Sequence, residues 1–401
     1  MISTGPVLRL RDLNRALLSR QLLLERPRLP AADPVARAAR VVQTVEHLTG
    51  LQAQAPFPPY YGLHSRLDGF EPGDLAGLIT SREVVRIALM RGTIHLVSAR
   101  DALPLRRLVQ PVIERGMRGA FGRQLEGVDP AALAAAGRAL TEAEPMTFSA
   151  LGQALAGRWP KNPPAALAQG VRTYVPLVQV PPRAIWGHAG QPRHTPAEHW
   201  LGQPAEPYPF RPAGPAELAA LVTRYLGAFG PATVRDIQAW SGLTGLKAVV
   251  EELRPALVTF ADEQGTELFD LPDAPRPGAS VPAPVRLIAE FDNLVLAHGD
   301  RSRIVSAENT KRLYTVNGVI PGAVLIDGFV AGMWRLAPGR TLTTLGIELF
   351  GPPGGQPAGE QAAGEREELI GEAERVLAFC APGTPHDIRF GPLAKLAIRR
   401  P

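Results

Sequence analysis

Apolar positions at helical spacing alternate along the chain with short strand-like runs, a pattern that predicts many small helices and hairpins. Residues 14–25 set Leu17, Leu18, Leu22 and Leu24 among arginines, the stripe of an amphipathic helix that stops near Pro27. A second helix is predicted over residues 34–48, ending at Gly50. GLQAQAP then falls at a helix start or tight turn and leads into PFPPYYGLHSRL, rich in proline and aromatic residues. Residues 74–80 read as a short helix. The runs 84–90 and 93–98 flank Arg91-Gly92 as a hairpin. Helices followed by a small hairpin are the layout of a winged helix, so residues from about 10 to 100 form a first, irregular copy.

A weaker second copy is suggested by MTFSALGQ, where Thr147 or Ser149 caps a helix, and by apolar 174–180 and Ile185-Trp186 as strands parted by Pro181-Pro182. The third copy is the clearest. GPAT caps a helix running through Trp240, Ser241-Gly242-Leu243 turns, and Thr244 opens a second helix ending near Leu253. Runs 256–260 and 267–271 around DEQG supply its wing. Beyond a Pro-rich linker at 272–284, residues 285–296 read as a strand entering a turn, and 298–303 as a compact basic turn. Residues 323–336 read as a hairpin bent at Asp327-Gly328. Residues 351–364 are expected to be a mobile loop before a last helix at 365–380. The expected fold class is α+β: three tandem winged-helix units at 1–125, 126–212 and 213–275, then a β-hairpin-containing region with a terminal helix at 276–401.

At 401 residues several domains are expected. The net charge of +5 is compatible with a polyanionic partner without establishing one, and the bias to arginine, with only four lysines, also fits a GC-rich coding sequence. A single cysteine, Cys380, excludes an internal disulfide and a cysteine-based zinc site, and the eight histidines include no HExxH or comparable close pair. Arginines interrupt the apolar N-terminal stretch, which supports neither a signal peptide nor a membrane span; a cytoplasmic protein is expected. Walker loop, GxGxxG and GxSxG motifs are missing, removing the usual carriers of nucleotide hydrolysis, hydride transfer and serine hydrolysis.

What remains is a set of polar candidates: Gln52 and Gln54, then Arg91, Thr93, His95, Asp292, His298, Arg301 and Arg303. Here the chain resembles the winged-helix DNA glycosylases of the AlkZ and YcaQ type, through LNRALLSRQLLLER, GLQAQAP, MRGTIHLVS, GPATVRDIQAWSG, AEFDNLVLAHGDRSRI and VLIDGFVAGMW. The resemblance implies winged helices curved into a C around a duplex-sized channel and no cofactor. It also implies hydrolysis of the N-glycosidic bond of N7-alkylated purines, in some members with unhooking of interstrand crosslinks. It places Gln52 and Gln54 at the two catalytic positions of a Gln-x-Gln motif; one branch has a carboxylate second, where this chain has Gln54. Double-stranded DNA carrying alkylated or crosslinked purines is then the partner, with no obligate protein partner and a monomer expected.

Each candidate also has a plainer reading. The glutamines could bond exposed backbone at a helix start, His95 could be a packed residue beside an apolar strand, and Arg91 could merely end a hairpin. Asp292 suits ordinary turn chemistry as well as a held water, while His298, Arg301 and Arg303 form either a basic hairpin tip for a DNA groove or a solvated loop. Two rival functions stay open. One is a non-catalytic winged-helix regulator, disfavoured because the helix from Thr244 to Leu253 offers only Lys247 against Glu251 and Glu252. The other is a sequestration protein for an alkylating compound, stacking on Trp186, Trp240 and Trp334, residues equally at home in a core.

Overall fold

The computed structural model describes residues 5–314, 318–339, 341–351 and 360–394. Its first part runs α1 (Leu10–Arg20), α2 (Pro34–His47), β1 (Leu51–Gln52), α3 (Pro58–His64), α4 (Pro72–Thr80), β2 (Val84–Ala88) and β3 (Ile94–Ser98). Asp33 explains the start of α2: its carboxylate accepts from the backbone N–H of Val35 and Ala36, and Pro34 takes the first helical position, where no N–H is needed. The first helix begins and ends earlier than its apolar stripe predicts. Leu22 adopts φ 56° and breaks it, and the carbonyls of Leu23 and Leu24 accept from Arg286. Leu23 is buried and Leu24 half-buried off the helix axis, so periodicity alone carries the helix past its true end.

Next come α5 (Ala99–Leu108), α6 (Gln110–Phe121), α7 (Pro130–Ala143), α8 (Phe148–Ala156), α9 (Pro164–Tyr174), β4 (Leu177–Gln179), β5 (His194–Pro196) and α10 (Ala197–Leu201). Thr147 caps α8 by accepting from the Ala150 N–H. The partner of β4 is β5, not the expected strand at Ile185-Trp186; that dipeptide lies in a turn, and its Trp186 ring enters an aromatic cluster 5.4 Å from Phe57 and 4.9 Å from Tyr60. One antiparallel sheet in the order β1-β3-β2-β4-β5 therefore joins strands between residues 51 and 196.

The third stretch contains α11 (Pro215–Phe229), α12 (Val234–Ser241), α13 (Lys247–Leu253) and the hairpin β6 (Val258–Ala261) with β7 (Glu267–Asp270). Thr233 and Asp236 form a capping box at α12, and Gly242 at φ 81° ends it. This is the helix-turn-helix and wing expected from sequence, except that the second helix opens at Lys247 and not at Thr244. A C-terminal sheet follows, built from β8 (Arg286–Ile288), β9 (Gly322–Ile326), β10 (Phe329–Ala337) and β11 (Thr343–Leu349), with α14 (Ala307–Leu313) inserted after β8. Helix α15 (Glu360–Cys380) precedes the edge strand β12 (His386–Phe390), and the order is β12-β11-β10-β9-β8. The hairpin at Asp327-Gly328 forms as expected. Most of the loop expected at 351–364 lies outside the described residues, and the final helix starts earlier, at Glu360. Among the described residues no helix is long and apolar enough to cross a membrane.

Buried ion pairs tie these parts together. Arg20 of α1 meets Asp270 of β7 at 2.6 Å with both side chains fully buried, and Arg66 meets Asp292 at 2.8 Å, nearly as deep. Leaving either partner of such a pair alone costs about 3–5 kcal/mol. The pairs therefore fix where the chain's distant segments meet.

Candidate active site

The site forms where β1 leaves the sheet. Gly50 turns the chain at φ +88°, and a Cβ there would lie 2.7 Å from Val97 Cγ1, so no other residue fits. Gln52 then pairs with His95 across the ladder. The Ala53 N–H donates to the Ile94 carbonyl at 2.7 Å, but the return bond is not made. Instead the Gln54 amide oxygen accepts from the Ile94 N–H at 3.2 Å, and the Ala53 carbonyl accepts from Arg86 at 2.6 Å. A side chain has replaced backbone in the last rung. That exchange brings the chain out of the sheet and leaves Gln54 exposed, while Gln52 stays 7% exposed.

Arg91 holds the buried glutamine. It sits at φ 57° in the β2–β3 turn, with its guanidinium aimed inward. One nitrogen donates to the Gln52 amide oxygen at 2.7 Å and to Asn293 Oδ1 at 3.3 Å; the other donates to the Trp240 carbonyl at 2.6 Å, at the end of α12. All three acceptors are neutral, so the site keeps the positive charge. Burial, and then the neighbouring Arg301, pull the Arg91 pKa down to about 10, which leaves it charged at neutral pH. Arg301 itself lies 4.4 Å over the Tyr314 ring. Asn293 closes the circle by donating to the Gly50 carbonyl at 3.2 Å.

Each glutamine oxygen thus has one fixed donor and one remaining lone pair. The amide planes are oriented in advance, Gln52 by a cation and Gln54 by the sheet. Such a pair can position a water by accepting its hydrogens and can face a positive charge with the negative ends of two dipoles.

The other sequence candidates separate into those at this cluster and those beneath it. Thr93 is half-buried and donates to the Met90 carbonyl at 3.0 Å, shaping the turn that carries Arg91. His95 is fully buried; Nδ1 meets the Thr93 carbonyl at 3.1 Å, and burial, reinforced by Arg91, lowers its pKa to about 3. It is a neutral packing group, not a cation for phosphate. Asp292 is engaged in holding the fold: both oxygens accept from Arg66 at 2.8 Å, and one also accepts from the Leu294 N–H. The expectation of a basic hairpin tip at 298–303 is corrected. His298 is buried against the Phe229 carbonyl, and burial keeps it well below its ordinary pKa. Arg303 is buried and donates to the Pro231 carbonyl at 2.7 Å. Both are drawn inward by unpaired acceptors before α12, so of these three only Arg301 retains a half-exposed side chain.

Sequence reasoning passed over Asn293 and Arg86. Asn293 follows Asp292 in a turn whose local chemistry the aspartate alone explains. Arg86 was detectable as a charge in the middle of the apolar run VVRIA; it is 2% exposed, and its Nε and one terminal nitrogen have no hydrogen-bond partner among the described residues. Burial, then Arg183, lower its pKa to about 9.

A family model for AlkZ-like DNA glycosylases matches residues 45–379, a span holding the glutamines, Arg91, Asn293 and Arg301. The chain belongs to that family. The structure also resembles the Streptomyces sahachiroi DNA glycosylase AlkZ, with a TM-score of 0.72 at 17% identity over 95% of this chain and 100% of that one. This likeness places the α+β architecture with winged-helix units in the AlkZ-like fold. A curated relative from the same organism, an interstrand DNA cross-link repair glycosylase, is 30% identical over 139 residues, which span 32% of this chain and 37% of the relative.

Proposed function

We propose that this AlkZ-like protein is a monofunctional DNA glycosylase that hydrolyses the N-glycosidic bond of N7-alkylated purines in duplex DNA, including purines tied into interstrand crosslinks. Family membership supports the glycosylase class. The observation that narrows the substrate is the state of the polar groups: the two motif positions are amides, and both oxygens of Asp292 are engaged by Arg66, one of them also by the Leu294 N–H. Catalysis here works by orientation of dipoles, with no proton taken by either glutamine. That suits a leaving group that needs no protonation. Alkylation at N7 makes the purine cationic, so it departs neutral as positive charge develops on the sugar.

In this reading Gln52 and Gln54 accept hydrogen bonds from the attacking water with their free lone pairs and stabilise the oxocarbenium-like sugar; the C–O bond forms as the C–N bond breaks with its electron pair going to the purine, and one water proton is released to solvent. Arg91 keeps Gln52 in place, and Arg301 meets a backbone phosphate. A crosslinked base cannot swing far from the stack, which fits a catalytic edge at the start of a sheet better than a deep base pocket. The regulator reading loses support from α13 and the wing: Arg254 is engaged with Glu251 and Glu267, and Glu263 accepts from the Leu10 N–H.

The test is incubation of the protein with a duplex carrying one labelled 7-methylguanine, and with a duplex bearing one N7-linked interstrand crosslink, followed by scoring of alkali-labile sites. Abasic sites growing with time on either substrate are expected. Tight duplex binding with no abasic product from either would overturn the proposal in favour of a regulator.

A further inference from the structure

Strand β1 ends at Gln52, so the segment 53–55 that carries Gln54 leaves the sheet with little of the ladder to hold it. Arg86 reaches it. This residue sits in the middle of β2, pairs with Leu96 of β3, and extends its guanidinium past β3 to the departing chain. A single terminal nitrogen donates to the Ala53 carbonyl at 2.6 Å and to the Ala55 carbonyl at 3.3 Å. Those two carbonyls flank Gln54. The first belongs to the peptide plane that enters Gln54. The second belongs to the plane before Pro56, whose ring fixes its own φ and biases Ala55 to extended backbone. Gln54 itself is exposed, with its amide oxygen on the Ile94 N–H at 3.2 Å.

Arg86 is a poor choice for a residue that only holds the fold. It is 2% exposed, its Nε and other terminal nitrogen have no hydrogen-bond partner among the described residues, and its strongest charged neighbour is another cation, Arg183. A buried cation with unmet donors weakens the folded state, and an apolar side chain in the run VVRIA would pack there at less cost. We infer that Arg86 is the positioning residue for Gln54, as Arg91 is for Gln52. The inference rests on the glycosylase reading above and deepens it. Each amide of the pair has its own arginine: Arg91 grips the side chain of Gln52, and Arg86 grips the backbone on either side of Gln54. Both arginines come from β2 and the turn that follows it, so one hairpin sets the spacing of the two amides. A shift of about 1 Å in such a group can lower a rate about 100-fold.

The experiment measures single-turnover excision, duplex affinity and thermal unfolding for the wild-type protein, Arg86→Met, Arg86→Lys, Gln54→Ala and Arg86→Met/Gln54→Ala. Rates are read on whichever duplex the wild-type protein turns over, the one with 7-methylguanine or the one with the N7-linked crosslink. Arg86→Met should lower the rate at saturating enzyme at least about 10-fold, with duplex affinity within about twofold and a melting temperature no lower than wild type. Arg86→Lys, whose ammonium can donate to both carbonyls, should recover most of that rate. In the Gln54→Ala background Arg86→Met should have no further effect, because a residue acting through Gln54 has nothing left to position. A wild-type rate in Arg86→Met overturns the inference. So does a melting temperature that falls together with the rate, which would make Arg86 a structural anchor. A lysine variant no better than the methionine one, or an equal fold-loss with and without Gln54, also overturns it. Each of these results leaves the glycosylase reading standing, whereas a wild-type protein that forms abasic sites on neither duplex overturns both.

Discussion

The helix-turn-helix at 233–253 and the Gln-x-Gln turn at 50–55 stand in opposite relation to their sequences. The first carries every local signature of a DNA reader: a capping box, a left-handed glycine, a second helix and a wing. Its second helix nevertheless presents Glu251 tied to Arg254, and the carbonyl of Trp240 at the end of its first helix is spent on Arg91. The second region is a two-residue strand with no recognisable motif outside its family. Yet it gathers a cation, two oriented amides and an asparagine contributed by positions 52, 54, 91 and 293. A motif can persist as scaffold while chemistry settles where distant segments meet.

Removing the scaffold should have the largest effect. Asp292→Ala leaves Arg66 buried and unpaired, and a loss of about 3–5 kcal/mol is expected in denaturant unfolding. A loss under about 1 kcal/mol would show that Asp292 is not the structural anchor described here. Arg91→Met should fold but release Gln52; excision should fall about 100-fold, as expected for a misplaced catalytic group, with duplex affinity reduced far less. If affinity and rate fall in proportion, Arg91 is a phosphate contact and not a positioning residue.

Acid should weaken the scaffold next. His64 and His95 are held near pKa 3 and His194 near 4, chiefly by burial, against an ordinary 6.5. Between those values the unfolded chain binds protons that the folded chain refuses, so their contribution is complete above pH 6.5 and is lost as pH falls. The slope is at most about 1.4 kcal/mol per pH unit per histidine. His95→Asn should flatten the stability profile between pH 6.5 and 4.5; an unchanged slope would contradict its burial as a neutral group. The smallest effect separates the two regions directly. Arg301→Ala should reduce the log–log salt dependence of duplex binding by about one unit, while Glu251→Gln with Glu252→Gln should leave it unchanged. A steeper salt dependence in the glutamate variant would place α13 on the DNA.

Much of this was legible in the sequence, and the exceptions share a cause. The β2–β3 hairpin, the third helix-turn-helix and the Asp327-Gly328 hairpin follow from local turn and capping chemistry. The displaced first helix and the false strand at 185–186 are places where burial comes from remote segments, Arg286 in one case and the aromatic cluster with Phe57 in the other. The glutamines were visible through family resemblance alone. What held them was not, because Arg91, Trp240 and Asn293 are far apart in sequence and meet only in the fold. The basic run 298–303 misled for the same reason: local charge suggested solvent, whereas the Phe229 and Pro231 carbonyls take His298 and Arg303 inside.

The central claim, two oriented amides acting as one catalytic pair, is tested most directly by Gln52→Ala/Gln54→Ala in single-turnover excision of 7-methylguanine, with duplex affinity measured on the same sample. The account predicts a rate lower by at least about 100-fold with affinity within a few-fold of wild type. Retained excision in that double variant would contradict it and move the chemistry elsewhere in the fold.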